Sequence, residues 1–401
     1  MKTLTGMLLL TSLVLTPEVR AENATDLQTL METGNCVACD LQDADLRNLD
    51  LRGANLEDAN LINTKLHNTN LSNANLKGAN LVNADMDGVT LSNANLQQAQ
   101  LRGVLMVNAD LEEANLQGAD FTLHDGERSI LTGSNLRNAD LRGAYLRGIK
   151  LKEANLEGAD LSYTDFSTDY PENSTSESVF NAALLAVPFA IPGAVLGVVG
   201  EIVIPEAASF NADVSYANLQ GAKLTNANLQ DINLHEANLR NADLQNSNLH
   251  HAYLVNTDFS YANLSGARLS NINMEGANFS NSTLMQTDFH LSYLVNANFS
   301  DANLTSAQLT EVNMENANFS GANLRETVLN SSYLVGVNLS DSILKEAQLQ
   351  DINMSRANLA GANLHNANLA DSKLDNVNLC GATMPNDDIS QVGCTAINVQ
   401  Q

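Results

Sequence analysis

Four cysteines, seven histidines and 46 carboxylates are the residues of this chain whose chemistry reaches beyond packing. The cysteines come in two pairs, Cys36 with Cys39 in "TGNCVACDL" and Cys380 with Cys394 in "LCGATMPNDDISQVGC". Cys-x-x-Cys spacing suits a redox dithiol or half of a zinc site, whereas an even count in an exported chain suits disulfides. Three pairings are open. A fold that parts the two ends favours Cys36–Cys39 and Cys380–Cys394, and a four-cysteine zinc site would need those ends to meet. Among the histidines only His250, His251 and His290 form a group. At the repeat spacing derived below, His250 and His290 stand roughly 9.6 Å apart, too far to share a metal at bonds of about 2.0–2.1 Å. The carboxylates fall on repeat positions, with no isolated pair suited to acid–base work. The sequence contains no glycine-rich phosphate loop, metal-spaced motif or nucleophile elbow. It predicts no catalytic residue, no cofactor and no metal: a chain that is not an enzyme.

The start, "MKTLTGMLLLTSLVLTPEVRAEN", places Lys2 before an apolar run from Leu4 to Leu15 and a small-residue site at Val19-Arg20-Ala21. That run is too short to span a bilayer and reads as a signal peptide, residues 1–21, which predicts export. The net charge is −26, from 46 acidic and 20 basic residues. This excludes binding that depends on phosphate contacts, whether to nucleic acid or to an anionic membrane. It leaves a well-solvated surface, or a mimic of DNA.

The element that must carry all of this is a repeat. In "ANLQDINLHEANLRNADLQNSNL", Ala227 to Leu249, a leucine falls on every fifth residue. Leu, Met or Phe holds nearly every fifth position from Leu41 to Phe166 and again from Val214 to Met384. Two residues before each stands a small or short one, as Ala237 does for Leu239. Residues two apart share one side of an extended chain, so each unit sends one small and one large side chain inward. The other three face water or turn the corner. Stacked coils then share an axis, at roughly 4.8 Å per coil. A second period fixes the coil: "DINLHEANLRNAD", "NINMEGANFSNST", "EVNMENANFSGAN" and "DINMSRANLAGAN" begin at Asp231, Asn271, Glu311 and Asp351, 40 residues apart. Eight units per period is two coils of four. "FTLHDGERSIL", Phe121 to Leu131, puts Gly126 at a large apolar position and reads as a loosened corner or bulge. Val104, Ile149, Ile232 and Ile272 widen the small position, which the tube must absorb.

The pattern Ala-(Asn/Asp)-Leu-x-x over most of the chain resembles the pentapeptide repeat proteins. The resemblance implies an all-β solenoid, a right-handed quadrilateral β-helix. "TGNCVACDLQDADL" and the Leu379–Cys394 stretch also look like the ends of exported cyanobacterial members, which implies the periplasm or thylakoid lumen. Leu27, Leu30 and Met31 fall on one helical face and predict an N-terminal helical plug, with the Cys380–Cys394 loop closing the other end. The divisions are thus a signal peptide (1–21), an N-terminal cap with a cysteine pair (22–40), a first array (41–166), a polar linker with an apolar insertion (167–213), a second array (214–384) and a C-terminal cap (385–401).

The insertion carries "VFNAALLAVPFAIPGAVLGVVGEIVIP", Val179–Pro205, with Phe189 and Leu196 within it and no charge from Ser178 to Gly200. As a helix it would reach the roughly 30 Å of a bilayer core. It could span, dip into the membrane as a hairpin, or fold back along the tube or against a partner. An apolar stretch of that length binds something or aggregates. A second surface candidate is the set Tyr253, Tyr293 and Tyr333, outward by register, with Val255, Val295 and Val335 on the same side. It could dock a protein partner or pair copies of the chain, as could the tube ends.

Two functions follow. The first is an exported scaffold or protein-interaction module, associated with a membrane through residues 179–205. The second is mimicry of DNA that protects a topoisomerase, as some pentapeptide repeat proteins protect gyrase. Charge disfavours the second, and no nucleic acid partner is expected. Residues 214–384 hold 15 acidic and 7 basic residues, whereas duplex DNA as long as nine coils carries on the order of 25 charges. The position before the large residue is Asn in 19 of 35 units there and Asp in only 4.

Overall fold

A computed structural model describes residues 21–167 and 212–394. Within them one residue per unit bridges the residue one coil on: Asn35 to Asn55, Asn55 to Asn75, and so on to Asn363 and Thr383, all in parallel. Twenty residues, or four units, therefore close a coil. Between bridges the chain turns. Ala74 N–H donates to Leu71 C=O at 3.0 Å, and Asn73 between them has φ 61°. A four-residue turn with its third residue in the left-handed region is type II, and it favours Asn, Asp and Gly there. Gly78 answers a second need, because a Cβ at that position would lie 2.2 Å from the Asp58 carboxylate of the coil below.

The inward pair builds one continuous core from Leu27 to Ala382. Leu244 is fully buried and Ala242 is 1% exposed. The wide residues Val104, Ile149, Ile232 and Ile272 are buried as well. Where Ser or Thr takes the small position, its hydroxyl donates to a backbone carbonyl, as Ser247 does to Leu244 and Thr257 to Leu234, each at 2.8 Å. The hydroxyls at these inward positions are thereby satisfied, whereas that of buried Ser260, which follows Phe259, has no partner. Along one wall Phe259, Phe279, Phe299 and Phe319 stack at ring separations of 5.0, 4.8 and 4.6 Å. The coil rise itself falls within the range that aromatic pairs prefer.

Two stretches break the count. Leu105 bridges Ile130, 25 residues on, so this coil carries a fifth unit. The unit leaves the wall as a loop in which His124 and Glu127 exchange backbone hydrogen bonds of 3.0 and 2.8 Å and Gly126 adopts φ 86°. More than a corner is loosened, because Phe121 and Leu131 stay inward and a whole unit is set outside. The second break is the insertion. Lys150 bridges Asp213, Asn155 bridges Asn218, Asp160 bridges Lys223 and Asp165 bridges Asn228. The step is 63 residues in place of 20, an excess of 43. The two runs of repeats are consequently stacked directly on each other. Residues 1–20 and 168–211, which include the signal stretch and Phe189 and Leu196, lie outside the described residues.

Helix α1, Ala21–Thr33, meets the first coil. Leu27 and Leu30 enter the core, but Met31 is 52% exposed, against the expected three-residue face. The cause is a tether on the far side of Leu30. The Asp26 carboxylate accepts Asp40 N–H at 2.8 Å, and the Asp26 carbonyl lies 3.3 Å from Cys36 Sγ. At about 100° per residue, Asp26, Leu30 and Leu27 fill the buried arc and Met31 is rolled out. At the other end Ile389 pairs antiparallel with Thr383. Cys36 is bonded to Cys39 and Cys380 to Cys394.

Candidate interaction surface

The outer wall is what such a core leaves for function. Much of it serves the wall itself. Asn238 Nδ2 donates to Asn218 Oδ1 at 2.9 Å, Asn298 to Asn278 at 3.1 Å, Asn318 to Asn298 at 3.0 Å and Asn338 to Asn318 at 2.9 Å. Each Oδ1 also accepts the backbone N–H two residues on, as Asn298 does from Ser300 at 3.2 Å. An amide can receive from above and donate below, which a carboxylate cannot. Asp258 accepts from Asn278 at 3.0 Å but has no N–H to pass on to Asn238. This explains the excess of Asn over Asp at the position before the large residue.

Tyr253, Tyr293 and Tyr333 stand on one wall, alternating with Asn273 and Asn313. All three are half-buried, and Val255 with them; Val295 and Val335 are buried. The expected outward apolar stripe is therefore largely covered. Val295 sits between Glu275 and Glu315 of the adjacent coils, bonded through Gly276 and Asn296. Burial, reinforced by the negative charge of Glu275, raises the phenols of Tyr253 and Tyr293 above their ordinary value.

The tyrosines most open to solvent are others: Tyr145, Tyr163, Tyr216 and Tyr261, at 52%, 67%, 47% and 53%. Tyr163 and Tyr216 lie in the coils that flank the insertion, and Tyr145 bridges Asp165 from one coil earlier. The Tyr216 ring carries Lys152 Nζ at 5.6 Å and continues through His235 to Tyr253 at ring separations of 5.5 and 5.6 Å. The sequence signal for them is a phenol where a turn wants Asn, Asp or Gly. Tyr163, Tyr216 and Tyr261 hold φ of 63°, 58° and 62°.

Asp165 anchors the point where the chain departs. It accepts Ser167 N–H at 3.0 Å, Ser167 Oγ–H at 2.6 Å and Arg147 Nε–H at 2.8 Å. Burial opposes its ionisation, yet the bonds from Ser167 and Arg147 outweigh this and hold the carboxyl below its usual value. The rings of His250 and His251 lie 3.8 Å apart. Burial first, then the His251 charge, pushes His250 below its ordinary value. Among the described residues one group brings three metal-capable atoms within 4.8 Å of one another: His67, Asp85 and Asp87. It lies on the open wall, Lys65 bridges Asp85, and one Asp87 oxygen already accepts Val107 N–H at 2.8 Å. No helix among the described residues is long and apolar enough to cross a membrane.

Residues 39–78, 69–106, 105–143, 139–167 and 217–254 match pentapeptide repeats (8 copies), and residues 242–319 and 302–383 match the pentapeptide repeat region. No curated protein matches the sequence. Among solved structures the chain is similar to HetL, a pentapeptide repeat protein involved in heterocyst differentiation regulation from the cyanobacterium Nostoc sp. strain PCC 7120. That likeness is 26% identity and TM-score 0.36, over 64% of this chain and 91% of HetL. A pentapeptide repeat protein from the Arabidopsis thaliana thylakoid lumen is 29% identical over 27% of this chain and 61% of its own, with TM-score 0.14. Full-length QnrB1, a plasmid-mediated fluoroquinolone resistance protein, is 14% identical over 71% and 92%, with TM-score 0.17. With the five-residue step, the small–large inward pair and the matched segments in agreement, the chain belongs to the pentapeptide repeat family.

Proposed function

We propose that this chain is an exported, non-enzymatic scaffold: a right-handed, four-sided tube, plugged by α1, that is held at a membrane by its insertion. Its parts are the cap (22–40), the two arrays (41–166 and 214–384) and the closing segment (385–401), with residues 167–213 as the attachment. The observation that carries the reading is the unbroken stacking beneath the insertion. A tube that keeps Asp165 bridged to Asn228 across 63 residues holds 43 extra residues for a purpose other than its own architecture. Their uncharged run, Ser178 to Gly200, is the most apolar stretch outside the signal. Exposed Tyr163 and Tyr216 lie in the coils on either side of the insertion and Tyr145 bridges Asp165 beside it, and tyrosine is enriched where an apolar phase meets water. The Tyr253–Tyr293–Tyr333 wall is then the second docking face, for a protein partner.

A DNA-like surface is the reading the wall chemistry argues against. The Asn columns are consumed in lateral amide bonding, where a mimic would need carboxylates. The test is flotation on neutral phosphatidylcholine vesicles, comparing the mature chain with a variant lacking residues 169–211. The intact chain is expected in the floating fraction and the shortened one at the bottom. Equal behaviour of the two would refute membrane attachment.

A further inference from the structure

The wall that carries Tyr253, Tyr293 and Tyr333 also carries carboxylates with nothing to answer them. Val255, Glu275, Val295 and Glu315 hold the same place in successive coils. Asn256 N–H donates to the carbonyl of Glu275, Gly276 N–H to that of Val295 and Asn296 N–H to that of Glu315, at 2.9–3.0 Å. Glu275 and Glu315 thus stand one coil either side of Tyr293, roughly 9.6 Å apart. Both are half-buried, and the Tyr293 phenol feels the charge of each. Among the described residues neither carboxylate has an ion-pair or hydrogen-bond partner. Elsewhere a glutamate finds a cation in the next coil, as Glu57 finds Lys77 and Glu112 finds Arg137. Here the surroundings supply none. Residues 241–324 hold seven acidic residues and a single basic one, Arg268, which stands in another column, bridged to Asn248 and Asp288.

Two other tyrosines of the rod show what such a ring does with a cation. Lys152 Nζ lies 5.6 Å from the centre of the Tyr216 ring and Arg240 Cζ 5.5 Å from that of Tyr261, within the reach of a cation–π contact. No Lys or Arg among the described residues stands over Tyr253, Tyr293 or Tyr333. We propose that this wall, on the reading above that it docks a protein, takes a basic segment of that partner, with a Lys or Arg side chain seated on Tyr293 between Glu275 and Glu315. A cation there meets a ring face and two carboxylates together. Because those carboxylates are already partly withdrawn from water, pairing counts for more than on an open surface. Glu275 also adjoins Tyr253, so the next cation falls two coils away, roughly 9.6 Å. A strand returns to the same side every ~6.6 Å and a helix every two turns, ~10.8 Å. A polyproline II segment, with three residues per turn, returns every ~9.3 Å and comes nearest. The occupant is therefore an extended segment with a cation at every third residue. Its charges meet a far sparser partner than a duplex, which carries one charge per ~1.7 Å.

The test is calorimetric titration of the mature chain with a peptide of Lys-Pro-Pro repeats, and with a peptide of the same composition whose lysines are adjacent. The repeat peptide is expected to bind more tightly. Glu275→Gln combined with Glu315→Gln should weaken it on the order of tenfold. Glu113→Gln combined with Glu157→Gln removes as much charge from coils below the insertion and should change it less than about twofold. Tyr293→Leu should weaken it about two- to fivefold, and Tyr293→Phe should leave it unchanged. Equal affinity for the two peptides, or equal loss in the two double variants, would overturn the proposal. So would self-association of the chain that Glu275→Gln with Glu315→Gln abolishes, which would make a second copy the occupant. A photo-crosslinking side chain at Asn313, used in the cells that make the protein, separates the two layers. A captured partner that persists in the Glu275→Gln, Glu315→Gln chain refutes the basic occupant alone, and capture of no protein at all refutes the docking face.

Discussion

Excision of residues 169–211 is expected to leave a folded and more stable rod. The cut joins Phe166-Ser167-Thr168 to Ala212-Asp213-Val214. The product is a regular unit, with a small residue two before the next large one. The coils on either side already bridge each other, and no interior contact need be rebuilt. Closing a loop of about 45 residues rather than about 3 costs an extra (3/2)RT ln 15, or about 2–3 kcal/mol. Removing that cost should slow the opening of the flanking coils. Exchange at the amides of Leu156, Leu161 and Phe166, which bond Asn218, Lys223 and Asn228, should fall on the order of 30- to 150-fold. Faster exchange there would mean that the excised residues hold the coils together. A loss of the β spectrum would refute direct stacking altogether.

Four further perturbations test the wall and the core. Leu244→Asp, at a fully buried position, should unfold its neighbouring coils, whereas changes at half-exposed Gln245 should stay within about 0.5 kcal/mol; comparative thermal melts decide. Phe299→Ala removes the ring between Phe279 and Phe319 and should cost about 3–5 kcal/mol in urea unfolding, while Phe299→Leu should recover most of it. Asn298→Ala and Asn298→Asp should both destabilise by about 1–3 kcal/mol, because each loses the donor to Asn278. For His250, whose folded value is lowered chiefly by burial, the unfolded chain takes up a proton first. Its stabilising contribution is complete above about pH 6.5 and is lost as pH falls below that; melts of His250→Gln should show a shallower decline between pH 7 and 5.

The five-residue step made the interior legible, since Leu229, Leu234 and Leu239 could only share a side if the chain turned between them. The coil length was legible too, through the motifs at Asp231 and Asn271. What the sequence withheld were relations between coils. That Asn298 bonds Asn278 and Asn318 depends on a 20-residue separation, and its spacing alone does not say whether the amide faces water or its neighbour. The Phe259–Phe319 stack hides in the same way, because its members stand 20 residues apart in the chain with other large residues between them, and are continuous only along the axis. Met31 was misplaced because helical periodicity gives a face without saying how the helix rolls, which Asp26 decides. The Tyr–Val wall looked open because register tells which residues point outward, not how deep Val295 lies between its neighbours.

The asparagine columns have an electrical consequence. In the column that runs from Asn238 through Asn298 to Asn378 every amide donates toward the lower-numbered coil. Backbone bonds between coils are uneven: in the unit Leu71–Asn75, Leu71 and Asn73 donate toward the higher-numbered coil and only Asn75 toward the lower. The side-chain dipoles add head to tail along the axis against that backbone excess. The rod is polarised before any ionised residue is counted, and a charged partner approaching along that axis meets two unlike poles.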